Sequence, residues 1–191
     1  MKKTKCNFFL LLFYFLGLFY LVLPEPVIPN LEPGFKSTEP GDTIQIPGVW
    51  AYYTNLSREE SINFFEKRFK KSPFLGIPLI TYKLNHPPEY ARETIKDTLF
   101  SNFYEELVHP LRESLFISGW IPSEDEVYLK DKKDPITDFV IEGEHYNAKI
   151  TLFHVQSSVF SRILVWTGIN ALIFLLINEA LKIFKLPWKK K

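Results

Sequence analysis

One cysteine, Cys6, stands among 191 residues and has no second thiol to pair with. That excludes a disulfide scaffold and a cysteine-built zinc site. Glycine is scarce, with eight residues and no cluster after a strand-like run. No glycine-rich phosphate loop with a following Lys-Ser/Thr occurs, and no G-x-G-x-x-G, which argues against a nucleotide site. G-x-S-x-G and S-x-x-K are missing too, so the familiar serine acyl-transfer motifs are absent. No repeat of 20–50 residues is found. Charge is also missing from two long stretches, and those dominate the first reading of the chain.

Cys6–Leu23 reads CNFFLLLFYFLGLFYLVL without a charge. It lies at the short end of what a hydrocarbon core of about 30 Å requires. Bulky Tyr20-Leu21-Val22-Leu23-Pro24 offers no small-residue cleavage site, so an uncleaved signal anchor over 6–23 is expected. A cleaved signal is the competing reading. Cys6 precedes the apolar run, whereas a lipoprotein cysteine follows one. A second span is expected over 159–178, between Arg162 and the pair Glu179 and Lys182. Its competitor is a buried core helix. Within it, Asn170 near the centre, Thr167 and Gly168 mark a possible contact with the first span, a second copy or another membrane protein. Gly17 would allow a close approach from the other side.

The net charge of +1 is a sum over unlike parts. Lys2, Lys3 and Lys5 precede the first run. Residues 159–191 hold six Lys/Arg and one acid, Glu179, giving +5. Between them, 24–158 holds 14 basic and 21 acidic residues, giving −7. The positive-inside rule then places the basic 1–5 and 179–191 in the cytoplasm and the middle outside. The acidic middle disfavours nucleic acid, which needs a basic face. The bilayer itself is the first expected partner.

Between the spans, 24–47 carries six of the 14 prolines and reads as an extended tether. The folded part is 48–156. Ile44–Thr54 is rich in strand formers. Ser57-Arg58-Glu59-Glu60 is a capping box opening a helix with Ile62, Phe65 and Phe69 on one face. Leu75–Leu84 reads as a strand with Pro78 at an edge or bulge. Pro87-Pro88 opens an expected long helix striped by Ile95, Leu99, Phe103 and Leu107, interrupted at Pro110 and stopped by Gly119. A weak strand over 126–130 and a hairpin around Glu142-Gly143 complete the list. The order implies an α+β fold: a small, mainly antiparallel sheet with two or three helices on one face, flanked by the two spans.

Chemistry is sparse. Glu105, His109 and Glu113 fall at i, i+4, i+8, with Glu106 three before His109, so a helix would align them. A di-iron site needs Glu-x-x-His on each of two helices, Glu106–His109 is the one such spacing within the expected helix, and a solvated charged face explains it as well. The acids Glu124, Asp125, Glu126, Asp131 and Asp134 lack the calcium-loop pattern. Glu142, Glu144 and His145 read as turn solubility. Asn55-Leu56-Ser57 fits a glycosylation acceptor, but Ser57 is already used as a cap. Trp50, Tyr52 and Tyr53 read first as core packing, with a sugar- or partner-binding surface as the other option. No catalytic residue, metal or cofactor is expected. The sequence favours a two-span envelope protein whose outer α+β domain binds or scaffolds. A membrane-tethered hydrolase and an accessory subunit of a secretion or transport complex are the alternatives.

Overall fold

The computed structural model describes residues 2–39, 47–94, 101–121 and 139–185. They form two units: 24–156, and a helical unit made of 1–23 with 157–191. In the helical unit, α1 spans Lys2–Val22 and α4 spans Val159–Lys185. The other unit runs β1 (Phe35–Lys36), β2 (Val49–Thr54), α2 (Arg58–Phe69), β3 (Tyr82–His86) and α3 (Glu89–Thr94). It continues with β4 (Phe103–His109), β5 (Glu113–Trp120), β6 (Phe139–Ile141), β7 (Glu144–Tyr146) and β8 (Ala148–Gln156). The expected strand at 126–130, the acidic run at 124–134 and the tail from 186 lie outside the described residues.

Six strands make one antiparallel sheet in the order β1-β2-β8-β5-β4-β3. The fold is therefore α+β with a mainly antiparallel sheet and, among the described residues, four helices. β3 takes an edge, shorter than expected. The residues before it, 73–80, form a loop closed by Leu79 N–H donating to Lys70 O at 2.8 Å. β6 and β7 pair as a separate hairpin through Glu142 and Gly143, both at positive φ, as the turn residues foretell.

Ser57 starts α2 as its capping box predicts: Ser57 N–H donates to Glu60 Oε2 at 2.9 Å, and Glu60 N–H donates to Ser57 Oγ. Ile62, Phe65 and Phe69 of α2 bury themselves against Phe103, Leu107, Leu115, Ile117, Ile150 and Leu152 of the sheet. Each such side chain contributes about 1.5–3 kcal/mol on leaving water. Tyr52 belongs to this core, and Tyr53 is buried beside Phe139 and Tyr146. The aromatic run is thus packing. On the opposite sheet face, Ala91 of α3 meets Val49 and Tyr104. The two described helices of this unit therefore cover different faces rather than sharing one.

The expected long helix after Pro87-Pro88 is corrected. Only Glu89–Thr94 is helical, and 103–120 is a β-hairpin. Alternation is the physical reason: Phe103, Glu105, Leu107 and His109 point to the α2 face, while Tyr104 packs on the other. Pro110 is a turn residue, not a kink, with Arg112 N–H donating to His109 O at 3.0 Å. Gly119 does not stop a helix. A Cβ there would lie 2.4 Å from the Phe103 ring, so glycine makes room for that ring on the sheet.

Residues 24–39 are not a free tether. Leu31 is in the core, β1 pairs with β2, Thr54 Oγ1 donates to Pro33 O at 2.6 Å and Tyr52 O–H to Asn30 Oδ1 at 3.2 Å. Carbonyls of this stretch serve as acceptors for the rest of the unit.

In the helical unit, Val159–Lys182 is long and apolar enough to cross a membrane and is almost wholly exposed. Phe8–Val22 is apolar but shorter. Trp166 of α4 lies over Gly17 of α1, where any Cβ would sit 2.1 Å from the indole. Its Nε1–H donates to Tyr14 O at 3.0 Å, and Tyr14 O–H meets Thr167 Oγ1 at 3.2 Å. Thr167 therefore lies in the contact between α1 and α4. Asn170 instead donates to Trp166 O one turn back at 2.8 Å, and Gly168 faces open space. Arg162 is buried and donates to Ser157 Oγ at 3.0 Å.

Candidate functional site

Of the four polar residues singled out, Glu105, His109 and Glu113 do share a face, but it is a sheet face. The spacing of four between Glu105 and His109 is even, so it satisfies the two-residue period of β4 as well as a helical turn, and Glu113 joins them from β5. His109 and Glu113 are direct cross-strand partners of the β4–β5 hairpin. Glu106 points the other way and meets His86 Nε2 at 2.7 Å.

His109 and Glu113 form the centre of a buried network. His109 Nδ1 lies 2.6 Å from Glu113 Oε1, and both side chains are wholly shielded from solvent. Arg112 Nε donates to Glu113 at 3.2 and 3.4 Å, while its Nη2 donates to Pro24 O at 3.3 Å. On the far side, His109 Nε2 lies 3.1 Å from Thr81 Oγ1. Burial pushes the Glu113 pKa up, but the His109 hydrogen bond, the charges of Arg112 and His109, and the Arg112 hydrogen bond outweigh it. Its carboxyl is held below the usual value.

Thr81, His109 and Glu113 thus line up in the order of a hydroxyl–imidazole–carboxylate triad. Two facts remove the nucleophilic reading. Thr81 donates its proton to Leu79 O at 3.0 Å, so it offers His109 acceptor lone pairs. Phe69 stacks on the imidazole at 4.0 Å between ring centroids, with an interplanar angle of 11°. A substrate has no approach to the ring. The network ties together α2, the residue before β3, the β4–β5 turn and the start of the unit at Pro24.

Glu105 belongs to a different place. It forms the floor of an open cleft of about 680 Å³ between the start of α2 and β3. Its Oε1 accepts from Arg58 Nη2 at 2.5 Å and Asn85 Nδ2 at 3.1 Å, and it is 4% exposed. Arg58 also lies 5.1 Å over the Phe103 ring. Glu59, Ile62, Asn63 and Lys83 line the walls. Such a cleft offers amide and charged hydrogen-bonding groups without a nucleophile and base in contact. Ser57, at its rim, is spent on the α2 cap.

Among the described residues, no three His, Cys, Asp or Glu side chains gather as a metal site. Asn55 is engaged at both ends of its amide, donating to His145 O at 3.1 Å and accepting from Asn147 N–H at 2.8 Å. Its role is to fix the β7–β8 corner. Sequence reasoning passed over Arg58, Thr81 and Asn85. The available signal was the even spacing of 103, 105, 107 and 109, which would have put Glu105 on the α2 side. Compared with protein-family models, curated proteins and solved structures, the chain finds no match.

Proposed function

We propose that this chain is a two-span membrane protein that presents its α+β unit outside the cytoplasm, where the unit binds or scaffolds a partner in the cell envelope. Both termini are cytoplasmic in this reading. The observation that carries it is the exposed apolar length of Val159–Lys182, closed by the basic Lys182, Lys185, Lys189, Lys190 and Lys191. Pairing of α1 with α4 through Gly17 and Trp166 supports α1 as the second span, since close packing over a small residue suits lipid-embedded helices. Binding is favoured over hydrolysis because Glu105 opens on a cleft while His109 and Glu113 are sealed under Phe69.

The test replaces the single native thiol with one placed on the outer unit. In a Cys6→Ser background, Val140→Cys introduces a thiol at a position 58% exposed on the β6–β7 hairpin. Intact cells expressing the full chain are treated with a membrane-impermeant maleimide. Labelling without permeabilisation is expected. Labelling only after permeabilisation overturns the orientation.

A further inference from the structure

The chain enters its sheet-bearing unit at Pro24 and leaves it at Gln156. Both points lie at one end of the sheet. Pro24 O accepts from Ser72 Oγ at 3.1 Å and from Arg112 at 3.3 Å, and Gln156 pairs with Glu113 next to Arg112. The C-terminus of α2 ends there too, because Phe69 stacks on His109.

Two projections at this end are apolar. Loop 73–80 exposes Phe74 at 48% and Leu75 at 84%, and the β4–β5 turn exposes Leu111 at 48%. Leu75 and Leu111 sit at φ +54° and +63°, the left-handed region that glycine fills more easily. Both side chains are exposed, Leu75 the more so. Beside the loop, Lys67, Arg68, Lys70 and Lys71 line an open cleft with Val27, although the external region as a whole is acidic. Lys70 also meets Glu66. Exposed leucine and phenylalanine ringed by lysine and arginine is the composition of a surface that settles into anionic lipid headgroups.

We propose that this end of the unit rests on an anionic bilayer surface. Phe74, Leu75 and Leu111 enter the headgroup–acyl boundary, while Lys67, Arg68 and Lys71 face lipid phosphates. The inference rests on the two-span reading: Pro24 directly follows the first apolar run, and only Ser157 and Ser158 separate Gln156 from α4. If those helices span, this end has no slack with which to leave the membrane.

The full chain is reconstituted in phosphatidylcholine vesicles with and without phosphatidylglycerol. In a Cys6→Ser background, an environment-sensitive fluorophore is attached in turn to Leu75→Cys, Leu111→Cys, Val140→Cys and Leu172→Cys. Brominated lipids then report depth by loss of fluorescence. Expected is quenching at positions 75 and 111, none at 140, and weaker quenching at 75 when phosphatidylglycerol is omitted or Lys67→Gln and Lys71→Gln are introduced. Quenching at 172 with 75 and 111 no different from 140 overturns the docking and leaves the spans standing. No quenching at 172 overturns both. Equal quenching at 75 with and without anionic lipid overturns the phosphate contacts.

Discussion

Glu113 combines full burial, a histidine, an arginine and a depressed pKa. Its carboxyl binds its proton more weakly in the folded chain than in the unfolded one. The stabilisation is therefore complete above the ordinary carboxylate value of 4.5 and is lost as pH falls toward the lower folded value. Glu113→Gln should be less stable at neutral pH by about 3 kcal/mol, the order found on breaking a buried pair. It should also lose less stability than the parent between neutral and acid pH. Urea midpoints of the full chain in detergent, followed by tryptophan fluorescence across pH, check both halves. Leu111 gives the opposite kind of prediction. The left-handed backbone costs leucine about 1–2 kcal/mol, more than the roughly 0.5–1 kcal/mol that glycine costs in unfolded-state entropy. Leu111→Gly should raise the urea midpoint, although it removes an exposed side chain at the sheet's end.

Elements that depend on local chemistry were legible. The Ser57 box and the Ile62-Phe65-Phe69 stripe gave α2, and Glu142-Gly143 gave the hairpin turn. The hairpin of β4 and β5 was not legible as such, because Phe103 with Leu107, and Glu105 with His109, are each four apart, which fits both periods. Only the partners across the sheet, Leu115 and Ile117 among them, decide for strands, and those contacts are not local. The candidate residues suffered the same way: Glu113 was placed beside His109 for the wrong geometric reason, and Glu105 was drawn into a cluster it does not join. Gly17 was legible as a point of close approach, but Trp166 as its partner was not. Gly17→Leu should separate α1 from α4. In a Cys6→Ser background, crosslinking of Tyr14→Cys to Thr167→Cys by a bismaleimide long enough to replace the tyrosine ring reports the pairing. The crosslink should form readily with Gly17, and its yield should fall sharply with leucine there.

For the whole molecule, the decisive feature is that both ends of the sheet-bearing unit meet at Pro24, Arg112 and Gln156 while β8 sits between β2 and β5. A chain emerging from the ribosome can pair β3, β4 and β5 early, and β1 with β2. These are two partial sheets with nothing between them until residues 148–156 arrive. The strand that joins them is the last of the unit and has the most distant partners, so its placement carries most of the loop-closure cost of folding. The unit is completed only as Val159 follows, which links the finishing of the fold in time to the synthesis of the apolar helix behind it.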